Sequence, residues 1–406
     1  MGAFTIVAAQ FLLFSMLTAR SLGNADDELK LQAHLSPCEL IKYHGYPCEL
    51  SYATTDDGYV IEVDHIPHGR QGSPSAAGNQ RTPGYPVLLL PVFTSASEMW
   101  FLNYPSQSPG FLLVDRGFDV WSMNSREAKL HSNHTTLSQN DHKYWRWSFD
   151  EIGRYDMAAC VDHVLEATGA PKLTLMGLSQ GVVTTLVLLS TRPEYNEKVD
   201  LVIGYGPVAN ITHSGSPVSV AMPIISPLLL AFDPLSKGAY LGSKIISKMC
   251  KIVTGRLCPA LMKLTHMSST LQLNKTRVPV YVGHWPGGTS IQNMRHYHQV
   301  YKAKNFIMYN HGILENRRRY GQMTPPAYPL ERITTPIALF SSEGDLVADT
   351  RDVADLVARL GSSVIFHRIV PQRTFGHADF VAGYNANEFL HDIAFDLIRQ
   401  HATQRS

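Results

Sequence analysis

The chain has 406 residues, 44% of them apolar and 17% charged, with a formal net charge of +1. This is an ordinary globular composition with ample material for a large core, and it excludes an electrostatic basis for nucleic-acid binding. No internal repeat, low-complexity tract or long block of Lys and Arg interrupts it.

The first segment, "MGAFTIVAAQFLLFSMLTARSLGNA" (1–25), reads as a secretory signal. An apolar stretch from Ala3 to Ala19 is followed by small residues up to Gly23 and Ala25, suited to cleavage. The alternative, an uncleaved membrane anchor, sits poorly with a run this short and interrupted by Gln10 and Ser15, so no integral span is expected in the mature chain. Among five cysteines, Cys38 with Cys48 and Cys250 with Cys258 form two close pairs, candidates for disulfides whose connectivity the sequence leaves open. Cys160, in "YDMAACVDHVL", reads as a buried small hydrophobe. Sequons at Asn133, Asn210 and Asn274 suit a secreted glycoprotein and predict surface positions.

Within the N-terminal segment (26–85), "SYATTDDGYVIEVDHIP" predicts two strands around a turn at Asp57-Gly58. The Gly/Ser/Pro-rich stretch from His68 to Pro86 predicts a surface loop. Apolar runs then alternate with helix-like segments: Val87 to Leu90, Phe118 to Trp121, Leu173 to Met176, Leu201 to Tyr205, Ile337 to Phe340 and Val364 to Val370. That rhythm predicts an α/β fold with a mostly parallel sheet and helices on both faces, its core divided between 86–209 and 277–406. Between these parts, 210–276 departs from the rhythm. Its short helix-like stretches, broken by Pro217, Pro223, Pro227 and Pro234, read as a cap inserted over one end of the sheet.

The stretch "KLTLMGLSQGVVTTLVLL" puts Ser179 between two near glycines at the joint of a strand and a helix. A Gly-x-Ser-x-Gly pattern alone is weak. In this context it predicts a nucleophile elbow, with glycines relieving a tight turn, the serine Oγ raised above the sheet, and the Gln180 N–H at a helix start where a negative oxygen is favoured. A serine nucleophile needs a base and an orienting acid, expected downstream in the order acid then His. "PIALFSSEGDLVADT" and "VIFHRIVPQRTFGHADFV" supply Asp345 and His377, each in a loop after a strand. Asp349 reads instead as a helix N-cap, and Glu343 precedes the turn glycine. His284, His296 and His298 lack carboxylate or cysteine partners nearby, so no metal is expected, and the chemistry of a serine, acid and histidine set requires no cofactor.

The runs "KYHGYPCE", "TTDDGYVIEVDHIPHG", "FLLVDRGFDVWSMNSR", "YWRWSFDEIGRYDM", "GLSQG", "HWPGGTSIQNMRHYHQ", "EGDLVAD" and "GHADF" occur in one order across nearly everything after the signal. In them the chain resembles the acid lipases, gastric and lysosomal triacylglycerol and cholesteryl ester lipases of the α/β-hydrolase superfamily. The resemblance implies Ser179, Asp345 and His377 as a triad, an apolar cap over an acyl-chain cleft, and a Cys250–Cys258 disulfide within that cap. It also implies a second oxyanion donor, the Phe93 N–H, from the turn after the strand ending near residue 90. There this sequence departs: "PVFT" replaces a His-Gly-Leu-Leu turn, and Val92 stands where a glycine would accept positive φ. Leu178 replaces the family's usual His, and "NSRG" becomes "NSRE" at Glu127, which reads as a solvated loop charge, whereas an inward-facing carboxylate there would oppose an oxyanion. The expectation is a secreted or lysosomal serine ester hydrolase acting on neutral-lipid esters at a lipid–water interface. The alternative is a secreted lipid-binding relative whose altered oxyanion turn has weakened or abolished catalysis.

Overall fold

The computed structural model describes residues 27–70, 72, 84–216 and 271–403. The expected signal, most of the 68–86 loop, most of the cap, Cys250 and Cys258 lie outside the described residues. Among the described residues nine strands form one sheet: β1 (Glu49–Thr54), β2 (Tyr59–Ile66), β3 (Pro86–Leu90), β4 (Asp119–Met123), β5 (Ser132–His134), β6 (Leu173–Leu178), β7 (Val199–Tyr205), β8 (Ile337–Ser342) and β9 (Val364–Val370). Their spatial order is β1-β2-β4-β3-β6-β7-β8-β9, with β5 paired to β2.

From β4 through β9 the path is parallel, whereas β1, β2 and β5 add antiparallel pairings at one edge. Strands β3, β4, β6, β7 and β8 are buried at every position. Such continuous apolar runs belong inside a sheet covered on both faces. The edge strands alternate instead: β9 presents Ile365, His367 and their neighbours in an in–out pattern, and β1 is largely exposed. The hairpin turns at Asp57-Gly58 as expected, with Gly58 at φ 93°.

The helices that matter for the site are α1 (Pro37–Tyr43), α2 (Pro109–Asp115), α3 (Met157–Thr168), α4 (Gln180–Thr191), α5 (Ile291–Ala303), α6 (Thr350–Leu360) and α7 (Asp392–Thr403). Helix α4 is buried from Gln180 to Ser190, apolar nearly all round, as a helix within a large core must be. Its Val187, Leu186 and Leu189 each contribute roughly 1.5–3 kcal/mol by leaving water, so its N-terminus is held by packing rather than by a free loop. Cys38 and Cys48 are disulfide-bonded, tying α1 to the start of β1, and Cys160 is a buried free thiol.

Two sequon expectations are corrected. Asn133 is exposed, but Asn210 and Asn274 are 8% and 7% exposed. Each turns its Oδ1 back to accept from the backbone N–H and hydroxyl of the threonine two residues on, at 3.2 and 2.7 Å for Asn210 and 3.3 and 2.7 Å for Asn274. The same Asn-x-Thr spacing that makes a sequon also closes this turn.

A buried ion pair network fixes the loop after β4. The Arg126 side chain is 1% exposed, and its guanidinium bonds Asp156 through Nη2 at 2.7 Å and Asp57 through Nη1 at 2.7 Å. It also lies over the Tyr59 ring, 3.8 Å from the centroid. Replacing it leaves a buried carboxylate uncompensated, so Arg126→Met is expected to lower stability by about 3–5 kcal/mol in denaturant unfolding followed by far-ultraviolet circular dichroism. A loss below 1 kcal/mol would show that the carboxylates are neutralised by other means.

Candidate active site

Strand β6 runs into Ser179, which takes φ 57° and ψ −114° before α4 begins at Gln180. An L-residue held there is strained, and the sharpness of the turn explains both glycines of the pattern. A Cβ on Gly177 would lie 2.8 Å from the Gly181 carbonyl carbon, and one on Gly181 would lie 3.0 Å from the Leu90 side chain. Strand, turn and helix can approach one another this closely only without those side chains. The Ser179 N–H donates to the Tyr205 carbonyl at 2.9 Å, tying the elbow to the end of β7.

Asp345 follows β8, and His377 lies in the loop after β9; both are buried, at 2% and 3% exposure. His377 Nδ1 and Asp345 Oδ2 are 2.7 Å apart. The other carboxylate oxygen accepts the N–H groups of Val347 and Ala348 at 2.8 and 3.0 Å, which fixes the plane of the acid. The His377 loop is held by Asp379, fully buried, whose Oδ2 accepts the Gly376 N–H at 2.7 Å. Gly206, one residue beyond the carbonyl that holds Ser179, abuts this pair: a Cβ there would sit 3.1 Å from both Asp345 Oδ2 and His377 Cε1. Sequence reading singled out neither Gly206 nor Asp379, although "GYGP" directly after a buried strand and "GHAD" in a strand-end loop carry the signal.

His377 Nε2 is buried and bonded to no atom of the described residues. His377 and Ser179 both line one cavity of about 350 Å³, together with Phe93, Leu178, Val208, Trp285, Tyr297 and other largely apolar side chains. No hydrogen bond joins Ser179 Oγ to His377 Nε2. Contacts of this kind commonly close up only when substrate is bound.

The turn after β3 corrects the reading of "PVFT". Val92 does not carry positive φ; Thr94 does, at 57°. The Ser95 N–H closes a turn on the Val92 carbonyl at 3.1 Å, and Thr94 occupies the third position, where a type II turn demands positive φ. A β-branched residue there costs on the order of 1–3 kcal/mol, which surrounding contacts must offset. The Gly287 N–H donates to the Thr94 carbonyl at 2.5 Å, and the Trp285 indole N–H donates to the Phe93 carbonyl at 3.3 Å. Among the described residues, neither the Phe93 nor the Gln180 N–H is engaged by another group.

Glu127 is also corrected. It is 1% exposed rather than solvated, because Arg126 is anchored inward and drags the next residue with it. Its Oε2 accepts the Gln180 Nε2 amide at 2.6 Å, and Oε1 accepts Asn293 Nδ2 at 3.3 Å. Burial pushes this carboxyl up to about 7, against the lowering by hydrogen bonds from Thr289, Gln180, the Thr94 N–H and Asn293. His296 is a core histidine: it stacks on Phe149 and bonds Ser148 at 3.0 Å and the Ile307 carbonyl at 2.9 Å. Asp349 caps α6, accepting the Arg351 N–H at 2.9 Å, and Glu343 pairs with Arg373 at the surface.

Comparison with known proteins agrees with this architecture. The family model described as a partial alpha/beta-hydrolase lipase region matches residues 38–104. A tear acid lipase-like protein of Mesocricetus auratus is 34% identical over 370 residues, covering 89% of this chain and 90% of that one. Gastric triacylglycerol lipase of Bos taurus and lysosomal acid lipase/cholesteryl ester hydrolase of Homo sapiens are each 31% identical over 375 residues, 91% of this chain and 92% of theirs. Among solved structures, a carboxylesterase from Bacillus subtilis superposes with a TM-score of 0.50 at 14% identity, covering 91% of this chain and 98% of that one. At that identity the likeness establishes the α/β-hydrolase fold alone.

Proposed function

This chain belongs to the acid lipase family and is an ester hydrolase of the lipase class, and on that premise we propose that it works through an acyl-enzyme on Ser179. The observation that carries the proposal is the buried His377–Asp345 pair opening onto the same apolar cavity as a strained serine at a helix N-terminus. Ser179 Oγ attacks the ester carbonyl while His377 Nε2 takes its proton and passes it to the leaving alcohol. Asp345 holds the proton of the imidazole on Nδ1 and stabilises the imidazolium. The N–H groups of Phe93 and Gln180 receive the tetrahedral oxygen, and water activated by His377 then releases the fatty acid. The reaction as written uses no cofactor.

The substrate proposed is a long-chain neutral-lipid ester. The gastric relative is named for triacylglycerol and the lysosomal relative for cholesteryl esters, and the apolar cavity lining suits an acyl chain in either. These names likewise support a secreted or lysosomal location. Among the described residues no helix is long and apolar enough to cross a membrane.

Two measurements test the reading. A fluorophosphonate probe should label the folded protein, with the adduct on the peptide containing Ser179. In an acyl-chain series, emulsified long-chain esters should be cleaved faster than monomeric short ones. No labelling in folded protein would overturn the acyl-enzyme, and preference for short soluble esters would overturn the lipid substrate while leaving the acyl-enzyme standing.

A further inference from the structure

Among the described residues, Glu127 is the one buried carboxyl that touches the oxyanion apparatus. Through Gln180 Nε2 it contacts the side chain of the residue whose N–H is one donor, and it adjoins the Thr94 N–H, next to the other. The same cluster is closed from α5: Asn293 Nδ2 donates to Gln180 Oε1 at 2.9 Å, and the Tyr297 hydroxyl donates to that oxygen at 3.1 Å. Asn293 is itself fixed by the Phe149 N–H at 2.8 Å and by Thr289 Oγ1 at 3.1 Å. Gln180 and Asn293 are 1% and 0% exposed, so this is an interior lattice of side chains behind the reacting centre.

The groups that face Glu127 are uncharged. From α4 it meets only the Gln180 amide, from α5 the Asn293 amide and the Tyr297 phenol, and from the intervening loops Thr94 and Thr289. Its neighbour Arg126 spends its guanidinium on Asp57 and Asp156. Among the described residues no cation is bonded to Glu127. The titratable pair of the site, His377 and Asp345, comes from the loops after β8 and β9.

An ionised carboxylate so placed, in a low-dielectric interior, opposes a negative oxygen forming at the Phe93 and Gln180 N–H groups. A neutral carboxyl lacks that field, and its hydroxyl can donate to Thr289 Oγ1, which is within hydrogen-bond reach. We propose that Glu127 is a positioning residue for the oxyanion donors that supports turnover only while it holds its proton, so that its ionisation sets the upper pH limit of hydrolysis. This rests on the serine hydrolase reading above. The sign follows from burial, which raises the pH at which the proton leaves to about 7: the competent fraction is full in acid and falls as pH rises through that value.

The test is the pH dependence of kcat and KM for the full chain on a soluble p-nitrophenyl ester between about pH 5 and 9, comparing wild type with Glu127→Gln and Glu127→Gly. Wild-type kcat should fall on the alkaline side by at least about tenfold between pH 6 and 9, with KM little moved. In Glu127→Gln that limb should be lost or displaced upward, so that the ratio of variant to wild-type kcat rises about tenfold over the same range. Glu127→Gly, which removes the carboxyl altogether, should move the limb in the same direction and serves if the Gln variant does not fold. Alkaline limbs that coincide in all three proteins would overturn the inference. Fluorophosphonate labelling at pH 6 separates the two levels. Labelling with unchanged limbs sinks the role of Glu127 alone, whereas no labelling and no turnover in any protein sinks the serine hydrolase reading and this inference with it.

Discussion

Ser179→Ala is expected to lower kcat on any cleaved ester by about 10⁶, to the level that binding and the oxyanion donors sustain without a nucleophile. In the proposed mechanism the serine is the nucleophile of acylation, and losing its oxygen leaves His377 with no hydroxyl to deprotonate. The substitution deletes one atom from a residue whose backbone already holds φ 57° by virtue of its neighbours, so the fold should persist. KM should change little, because in the proposed mode of binding the apolar cavity lining and not the hydroxyl holds the acyl chain. Progress curves with mass-spectrometric detection of free fatty acid measure the loss. A variant retaining more than about one part in a hundred of wild-type turnover would mean that the nucleophile lies elsewhere.

Asp345→Asn is expected to lower kcat by about 10⁴. The size of the effect follows from which oxygen is already committed. One carboxylate oxygen accepts from Val347 and Ala348, and an asparagine must present its carbonyl there to keep those two bonds. Its amide N–H₂ then faces His377 Nδ1, where the carboxylate Oδ2 accepted at 2.7 Å. Facing a donor, the imidazole moves its proton to Nε2, the nitrogen that must be free to accept from Ser179. The asparagine thus keeps the shape and reverses the polarity. Labelling by fluorophosphonate should slow in parallel with kcat, since acylation is the step that suffers. Loss of turnover with labelling at the wild-type rate would assign Asp345 a different role.

Together with Glu127→Gln, these variants distinguish three ways of weakening one site. Removal of the nucleophile should be insensitive to pH, reversal of the Asp345 hydrogen bond should disable the base across the whole range, and loss of the Glu127 carboxyl should alter only the alkaline limb. The Arg126→Met variant belongs with them structurally. Arg126 anchors the loop that carries Glu127 inward, so stability and the position of that carboxyl are coupled through adjacent residues.

Much of the fold was legible in the sequence because its signals are local. Apolar runs of strand length, an Asp-Gly turn and alternation with helical segments suffice to announce an α/β chain, and β3, β6, β7, β8 and β9 lie where those runs lie. Ser179, Asp345 and His377 could each be read as standing just past the end of a strand, and parallel strands put such ends on one edge. What the sequence could not decide is everything that depends on which side of a loop faces inward. Glu127 reads as a solvated charge by its type, and only the burial of Arg126 against Asp57 and Asp156, 69 and 30 residues away, turns it into the core. Val92 reads as needing the glycine conformation, but positive φ falls two residues later, at Thr94, in the turn that Ser95 closes on Val92. Asn210 and Asn274 carry a surface motif, yet their side chains fold back on their own threonines. Local pattern determined the elements and their order. The inward or outward sense of each polar side chain was settled by long-range packing and by the need of every buried polar group for a partner, neither of which a short window of sequence contains.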